Sequence, residues 1–302
     1  MDVTTSRLHP DQEVALRDFI AVVTDHDGEP VLSESKEMRL DGGIDVREVI
    51  SIDGEGRIVG YGQAMWHRGA GGEAGHWALE VVVHPAYRKS TAEAEIIERL
   101  RQEAGAEDVM LWARLPYVAA AARRDGWSVR RRLIQMRRAL PLACTQSGLA
   151  GFTVAPFRMG VDERAWLTAN NAAFAGHPEN GSMTRRDLER RIARSWFDPD
   201  GFFLAWDGPD LAGSCWTKVH DDGAGEIYIV GVTPGWEGRG LGSALVCRGL
   251  DYLASVRNAS RATLFVEEAN VRATALYQKL GFERSRVLEA FRFNEPGGPI
   301  SG

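Results

Sequence analysis

The chain has little cysteine and no pattern in what it has. Cys144, Cys215 and Cys247 are odd in number and scattered, with no Cys-x-x-Cys pair and no Cys/His spacing suited to a metal. That removes the usual zinc signatures and fits a reducing cytosol. Long apolar runs are also missing. Nothing approaches membrane-spanning length, and residues 1–6 carry no apolar signal region, so a cytoplasmic chain without a membrane role is expected. Positive charge is not in excess. A net charge of −6 disfavours a general nucleic-acid role. An acidic surface is compatible with an amine substrate, and equally with solubility alone. Two phosphate-binding signatures are absent as well. No Gly-Lys-Ser/Thr ending follows Gly238, which excludes a P-loop. The spacing of Gly238, Gly240 and Gly242 does not match the dinucleotide fingerprint Gly-x-Gly-x-x-Gly.

What is present is concentrated in residues 226–243. A short apolar strand, residues 226–232, runs into those three alternating glycines. A helical period follows at once through Leu241, Ala244, Leu245, Leu250 and Leu253. Glycine has no Cβ, so backbone at this junction approaches a ligand closely. The first N–H groups of a helix lack intrahelical partners, and with the dipole they suit a pyrophosphate. Taken alone, this stretch also fits a strand-to-helix turn with no ligand. Downstream, Leu264, Phe265 and Val266 read as a buried strand, followed by a helix containing Tyr277. Asn270 suits its N-cap and Gly281 its left-handed end.

In this order, loop and helix resemble the GNAT superfamily of acyl-CoA N-acyltransferases. The loop is similar to the motif Gln/Arg-x-x-Gly-x-Gly/Ala, with Glu237 departing at its first position. Residues 270–282 are similar to Asn-x-x-Ala-x-x-x-Tyr-x-x-x-Gly-Phe. The resemblance implies an α/β (α+β) mixed-sheet fold and acetyl-CoA as acyl donor, with no metal. Val230, Gly231 and Val232 would hold the pantetheine by strand-like pairing. Glu237, Gly238, Arg239, Gly240, Leu241, Gly242 and Ser243 would cradle the pyrophosphate. Asn270, Val271, Arg272, Ala273, Thr274 and Ala275 would line the rest of the site. More narrowly, residues 170–181, 198–205, 216–220 and 225–228 resemble the mycothiol synthases. These are actinobacterial tandem GNAT enzymes that acetylate the cysteinyl amine of desacetylmycothiol. That resemblance implies Glu226 as base and Tyr277 as acid. It also implies Glu34, Glu179, Lys218, Glu226 and Glu267 as contacts to the pseudo-disaccharide acceptor. Such carboxylates accept hydrogen bonds from hydroxyls and attract an ammonium group.

The chain reads as a degenerate tandem repeat. Residues 141–150 open on a proline, carry small and polar side chains and keep no period, so they read as a linker. Two tandem GNAT domains are expected, at residues 1–140 and 151–302. Aligning Pro85 with Pro234 sets Thr91 against Gly240, Glu93 against Gly242 and Trp77 against Glu226. Aligning Gly126 with Gly281 sets Leu115 against Asn270 and Ala122 against Tyr277. The first domain is therefore expected to be inactive, with the acid/base pair and glycine loop confined to the second. His67, His76, His84 and His177 have no metal-ligand spacing. Arg130, Arg131, Arg132, Arg137 and Arg138 are mixed with apolar residues along a terminal strand and read as a solvated strand face. A monomer using acetyl-CoA and a small amine, without nucleic acid or membrane, is the expectation. Two other readings stay open: a tandem acetyltransferase for another small amine, and a non-catalytic acyl-CoA sensor.

Overall fold

A computed structural model of the chain describes residues 2–4, 10–40, 46–67, 75–88, 91–105, 109–144, 146–175 and 181–293. The chain divides into two compact units. Unit 1 is built from Met1–His67, Gly75–Arg132 and Leu288–Gly302, and unit 2 from Leu133–Val287. Unit 1 contains β1 (Asp2–Thr4), α1 (Pro10–Asp27), α2 (Glu34–Leu40), β2 (Val46–Ile52), β3 (Ile58–His67) and β4 (His76–Val83). It continues with α3 (Ala92–Ala104), β5 (Val109–Ala113), α4 (Pro116–Arg124) and the start of β6 (Trp127–Ala139). Unit 2 takes the rest of β6, then β7 (Thr153–Pro156), α5 (Glu163–Ala173), α6 (Arg185–Ile192), β8 (Phe202–Asp207) and β9 (Asp210–Val219). After these come β10 (Gly225–Val232), α7 (Leu241–Ser255), β11 (Arg261–Glu267), α8 (Val271–Lys279) and the first part of β12 (Glu283–Phe293).

The two sheets repeat one plan. Unit 1 runs β1-β2-β3-β4-β5-β12 and unit 2 runs β7-β8-β9-β10-β11-β6. Each has one parallel pair, β4 with β5 and β10 with β11, among antiparallel neighbours. The sixth place is filled by the last strand of the other half of the sequence. Leu133–Ala139 of β6 pair with β11, and Glu289–Arg292 of β12 pair with β5. The chain thus passes between units inside β6, and the described residues of segment 141–150 lie within unit 2.

Burial explains the elements. In α1, Leu16, Phe19, Ile20 and Val23 recur at helical spacing and are buried. β4 is buried along its full length, as a strand covered on both faces should be. Gly60 and Gly62 on β3 let α3 settle onto the sheet; a Cβ at Gly60 would meet Ile96 Cδ1 at 2.6 Å. Unit 2 repeats this with α7, whose Leu241, Leu245, Val246, Leu250 and Leu253 are buried in a cluster that also holds Ile134, Met136, Ile227, Leu264, Tyr277 and Phe282. A second cluster in unit 2 gathers Phe157, Trp166, Phe202, Trp216 and Ile229.

Cysteine pairing differs from the sequence reading, which found no relation among the three. Cys144 and Cys247 are disulfide-bonded across a separation of 103 residues, and the remaining Cys215 is buried. Packing rather than spacing brings the pair together. Segment 146–150 lies directly on the start of α7, where a Cβ at Gly148 would meet the Gly240 carbonyl oxygen at 2.5 Å. Among the described residues, no helix is long and apolar enough to cross a membrane, and no group of His, Cys, Asp and Glu is arranged to hold a metal ion.

Candidate active site

The sheet of unit 2 opens beside Glu226. β10 pairs with β11 only at Gly225↔Ala262 and Glu226↔Thr263. On its other edge it stays paired with β9 as far as Val232↔Gly213, with a bulge between Ile227 and Ile229. Beyond Glu226, the β11-facing edge of β10 therefore has no strand partner among the described residues. Backbone N–H and C=O groups need partners. An extended amide chain laid along Val230, Gly231 and Val232 would supply them by strand addition.

Past β10 the chain turns sharply through Gly235, Gly238 and Gly240, all at positive φ. Gly240 is the N-cap of α7 at φ +79°, and no side chain caps the helix. A Ser, Thr or Asp cap would engage one of these donors. Here Leu241, Gly242 and Ser243 begin the helix with amides directed at whatever anion sits there. Glu237, which departs from the family motif, is folded back on the loop. Its carboxylate accepts hydrogen bonds from its own N–H and from Gly235 N–H, the latter at 2.7 Å. These bonds, helped by nearby Arg272, lower its pKa below the ordinary glutamate value. Trp236 is tied to the same region by a 3.0 Å bond from its indole N–H to Asp207.

Across the opening, Asn270 caps α8 by accepting the Ala273 N–H at 3.0 Å. Thr274 is buried, and its hydroxyl has no hydrogen-bond partner among the described residues. The open strand edge and the uncapped helix start suit an extended amide chain ending in a pyrophosphate.

Glu226 lies on β10 and Tyr277 on α8. Glu226 is 6% exposed and directly paired with Lys218 of β9. The Lys218 ammonium lies over the rings of Trp196 and Tyr228, at 4.7 and 5.5 Å from their centroids. The next residue, Ile227, points the other way and packs in the cluster that holds Tyr277. Tyr277 is buried against Phe282, with ring centroids 6.0 Å apart. Burial pushes its phenol up to about 12, so the proton stays on at neutral pH.

Not every expected residue joins this group. Glu267 lies further along β11 than Thr263, roughly 13 Å away at about 3.3 Å per residue, and so is not level with Glu226. Glu34 opens α2 in unit 1 and is half-buried there. Glu179 falls outside the described residues. Sequence reading missed His220, whose Nε2 lies 2.6 Å from Glu226 Oε2. A hairpin signal was available: residues 220–224 form the turn between β9 and β10, which makes His220 and Glu226 diagonal neighbours.

In unit 1 the corresponding opening is filled from within. The parallel ladder stops at Leu79↔Leu111, where both leucines are fully buried. The bulge in β10 adds one residue that a count back from the prolines does not see, so Glu226 is set against Ala78 rather than Trp77. Val83 N–H donates to the Tyr117 hydroxyl at 2.8 Å, and Val83 O accepts from Arg88 Nε at 3.0 Å. Arg88 is held in place by both Asp27 oxygens, at 2.8 and 2.6 Å. Glu93 is buried in the first turn of α3 with one oxygen that has no hydrogen-bond partner among the described residues, and burial raises its pKa.

Residues 165–282, all in unit 2, match the family described as "Acetyltransferase (GNAT) family". Over nearly the whole chain the similarity is to a mycothiol acetyltransferase of Geodermatophilus obscurus, 40% identical across 300 residues, with 95% of this chain and 96% of that protein covered. Among solved structures, a tandem GNAT protein from the clavulanic acid biosynthesis pathway matches with a TM-score of 0.71 at 16% identity, covering 96% of this chain and 97% of the other. A GCN5-related N-acetyltransferase from Sphaerobacter thermophilus matches with a TM-score of 0.67 at 24% identity, covering 96% and 94%. The two structures establish the fold, and the whole-length relative establishes more: the chain belongs to the mycothiol acetyltransferase family of GNAT enzymes.

Proposed function

We propose that this chain acetylates the cysteinyl amine of desacetylmycothiol with acetyl-CoA, using unit 2 as the catalytic unit. The opening of the sheet beside the buried carboxylate of Glu226 carries the reading. Acetyl-CoA, when bound, supplies the acetyl group as a thioester. Val230, Gly231 and Val232 would hold its pantetheine, residues 237–243 its pyrophosphate, and residues 270–275 the remainder. Glu226 accepts the proton that the amine loses, and Tyr277 carries the proton that the released thiol needs. Lys218, with Trp196 and Tyr228 beside it, and Glu267 are the proposed acceptor contacts within unit 2. Glu34 and Glu179 keep the acceptor role that the resemblance implies. Thiol release from acetyl-CoA, measured with desacetylmycothiol against a panel of aminoglycosides and polyamines, tests the reading. The expected outcome is a clear preference for desacetylmycothiol. A better alternative amine would favour a different acetyltransferase, and turnover with no amine would favour a sensor.

Two further outcomes are expected. Calorimetric titration should find about one acetyl-CoA per chain, because the Val83 backbone groups in unit 1 are already bonded to Tyr117 and Arg88. Two sites of comparable affinity would contradict this. Tyr277→Phe should lower kcat by about 10²-fold with little change in the KM for acetyl-CoA. Since the phenol is pushed up to about 12, the wild-type rate should show no loss from its ionisation until the pH approaches that value. A basic limb near neutrality that vanishes in the Phe variant would contradict the burial argument.

A further inference from the structure

We infer that His220 is a positioning residue for this acylation site. Its Nε2–H donates to one oxygen of Glu226, holding the carboxylate in place and leaving the other oxygen to receive the amine proton. The inference rests on Glu226 being the base.

Four observations carry it. First, Glu226 is 6% exposed, and a buried polar group needs a hydrogen-bond partner. Second, among the described residues His220 makes the hydrogen bond to this carboxylate, at 2.6 Å. Third, other nearby groups are turned elsewhere. Lys218 holds its ammonium over Trp196 and Tyr228, and the Thr263 hydroxyl donates to the Met136 carbonyl at 3.1 Å. Fourth, the imidazole is itself set in a charged frame. Asp222, in the same turn, acts electrostatically on His220, accepts the Ala224 N–H at 2.9 Å, and is paired with Arg261 from β11 at 2.6 Å. The frame contains Asp222 and Glu226 as acids and Arg261 and Lys218 as bases, with the His220 side chain about a third exposed at 35%.

The proton balance is simple. The amine N–H bond breaks, an O–H bond forms on the free oxygen of Glu226, and His220 keeps its own proton throughout. Removing the donor should leave the buried carboxylate without its partner and free to turn away from the amine.

The test compares His220→Ala and His220→Gln in the full chain, using acetyl-CoA and desacetylmycothiol. In the Ala variant, kcat should fall about tenfold with the KM for acetyl-CoA unchanged. The Gln variant still offers an N–H donor, so it should restore kcat towards wild type. An undiminished kcat in His220→Ala, or a Gln variant as slow as the Ala one, overturns the inference. Glu226→Gln run alongside separates the causes. If that variant is slow while His220→Ala behaves as wild type, His220 alone is misassigned; if it turns over normally, the base itself is.

Discussion

Glu226→Gln should lower kcat by ~10²–10⁴-fold at neutral pH and leave acetyl-CoA binding nearly unchanged. The substitution is close to isosteric, so the buried position between Lys218 and Thr263 remains filled. The amide oxygen can still accept from His220, which stands 2.6 Å from the native carboxylate. What is lost is proton affinity, because a carboxamide does not accept a proton at neutral pH. The cofactor cradle lies further along β10 and in the turn before α7, so KM for acetyl-CoA should hold while kcat and kcat/KM for the acceptor fall together. Steady-state kinetics with both substrates varied checks this. Near-normal turnover would remove Glu226 from the mechanism, and a melting temperature equal to wild type would exclude misfolding as the cause of a loss.

The parts of this protein legible in the sequence are those fixed by local backbone chemistry. Gly240 is readable because a left-handed N-cap without a side chain favours glycine, and the structure holds it at φ +79°. Asn270 is readable because a short polar side chain satisfies a helix start, and it caps Ala273 N–H as expected. The tandem α/β plan is readable because strand and helix periods alternate twice, and the two sheets share one strand order. The illegible parts depend on groups distant in sequence. Nothing local to Tyr117 says that its hydroxyl will serve Val83, or that Arg88 will reach back to Asp27. Cys144 and Cys247 are joined because segment 146–150 packs on α7, a contact invisible in spacing. His220 is an intermediate case. The hairpin register would have placed it beside Glu226, but a lone histidine before an Asp-rich turn carries no chemistry by itself.

The strand exchange was equally hidden, and it changes what a minimal catalytic fragment must contain. A fragment beginning at Gly151 follows the sequence linker but omits Leu133–Ala139. Those residues pair with β11 from Arg261↔Ala139 to Glu267↔Leu133. They also place Ile134 and Met136, both at 0% exposure, in the cluster under α7 and α8. Losing two such side chains forfeits roughly 1.5–3 kcal/mol each. The missing ladder bonds add about 0.5–1.5 kcal/mol apiece. Against a typical net stability of about 5–15 kcal/mol, that is enough to unfold the unit. β11 would also become an exposed edge, a template for association. Residues 151–302 should therefore melt without a cooperative transition and bind no acetyl-CoA, whereas residues 133–302 should melt cooperatively and bind it. Circular dichroism melts and calorimetric titration of the two fragments read this directly. Equal melting and equal affinity would show that β6 is dispensable and that the catalytic unit begins after the proline-led segment.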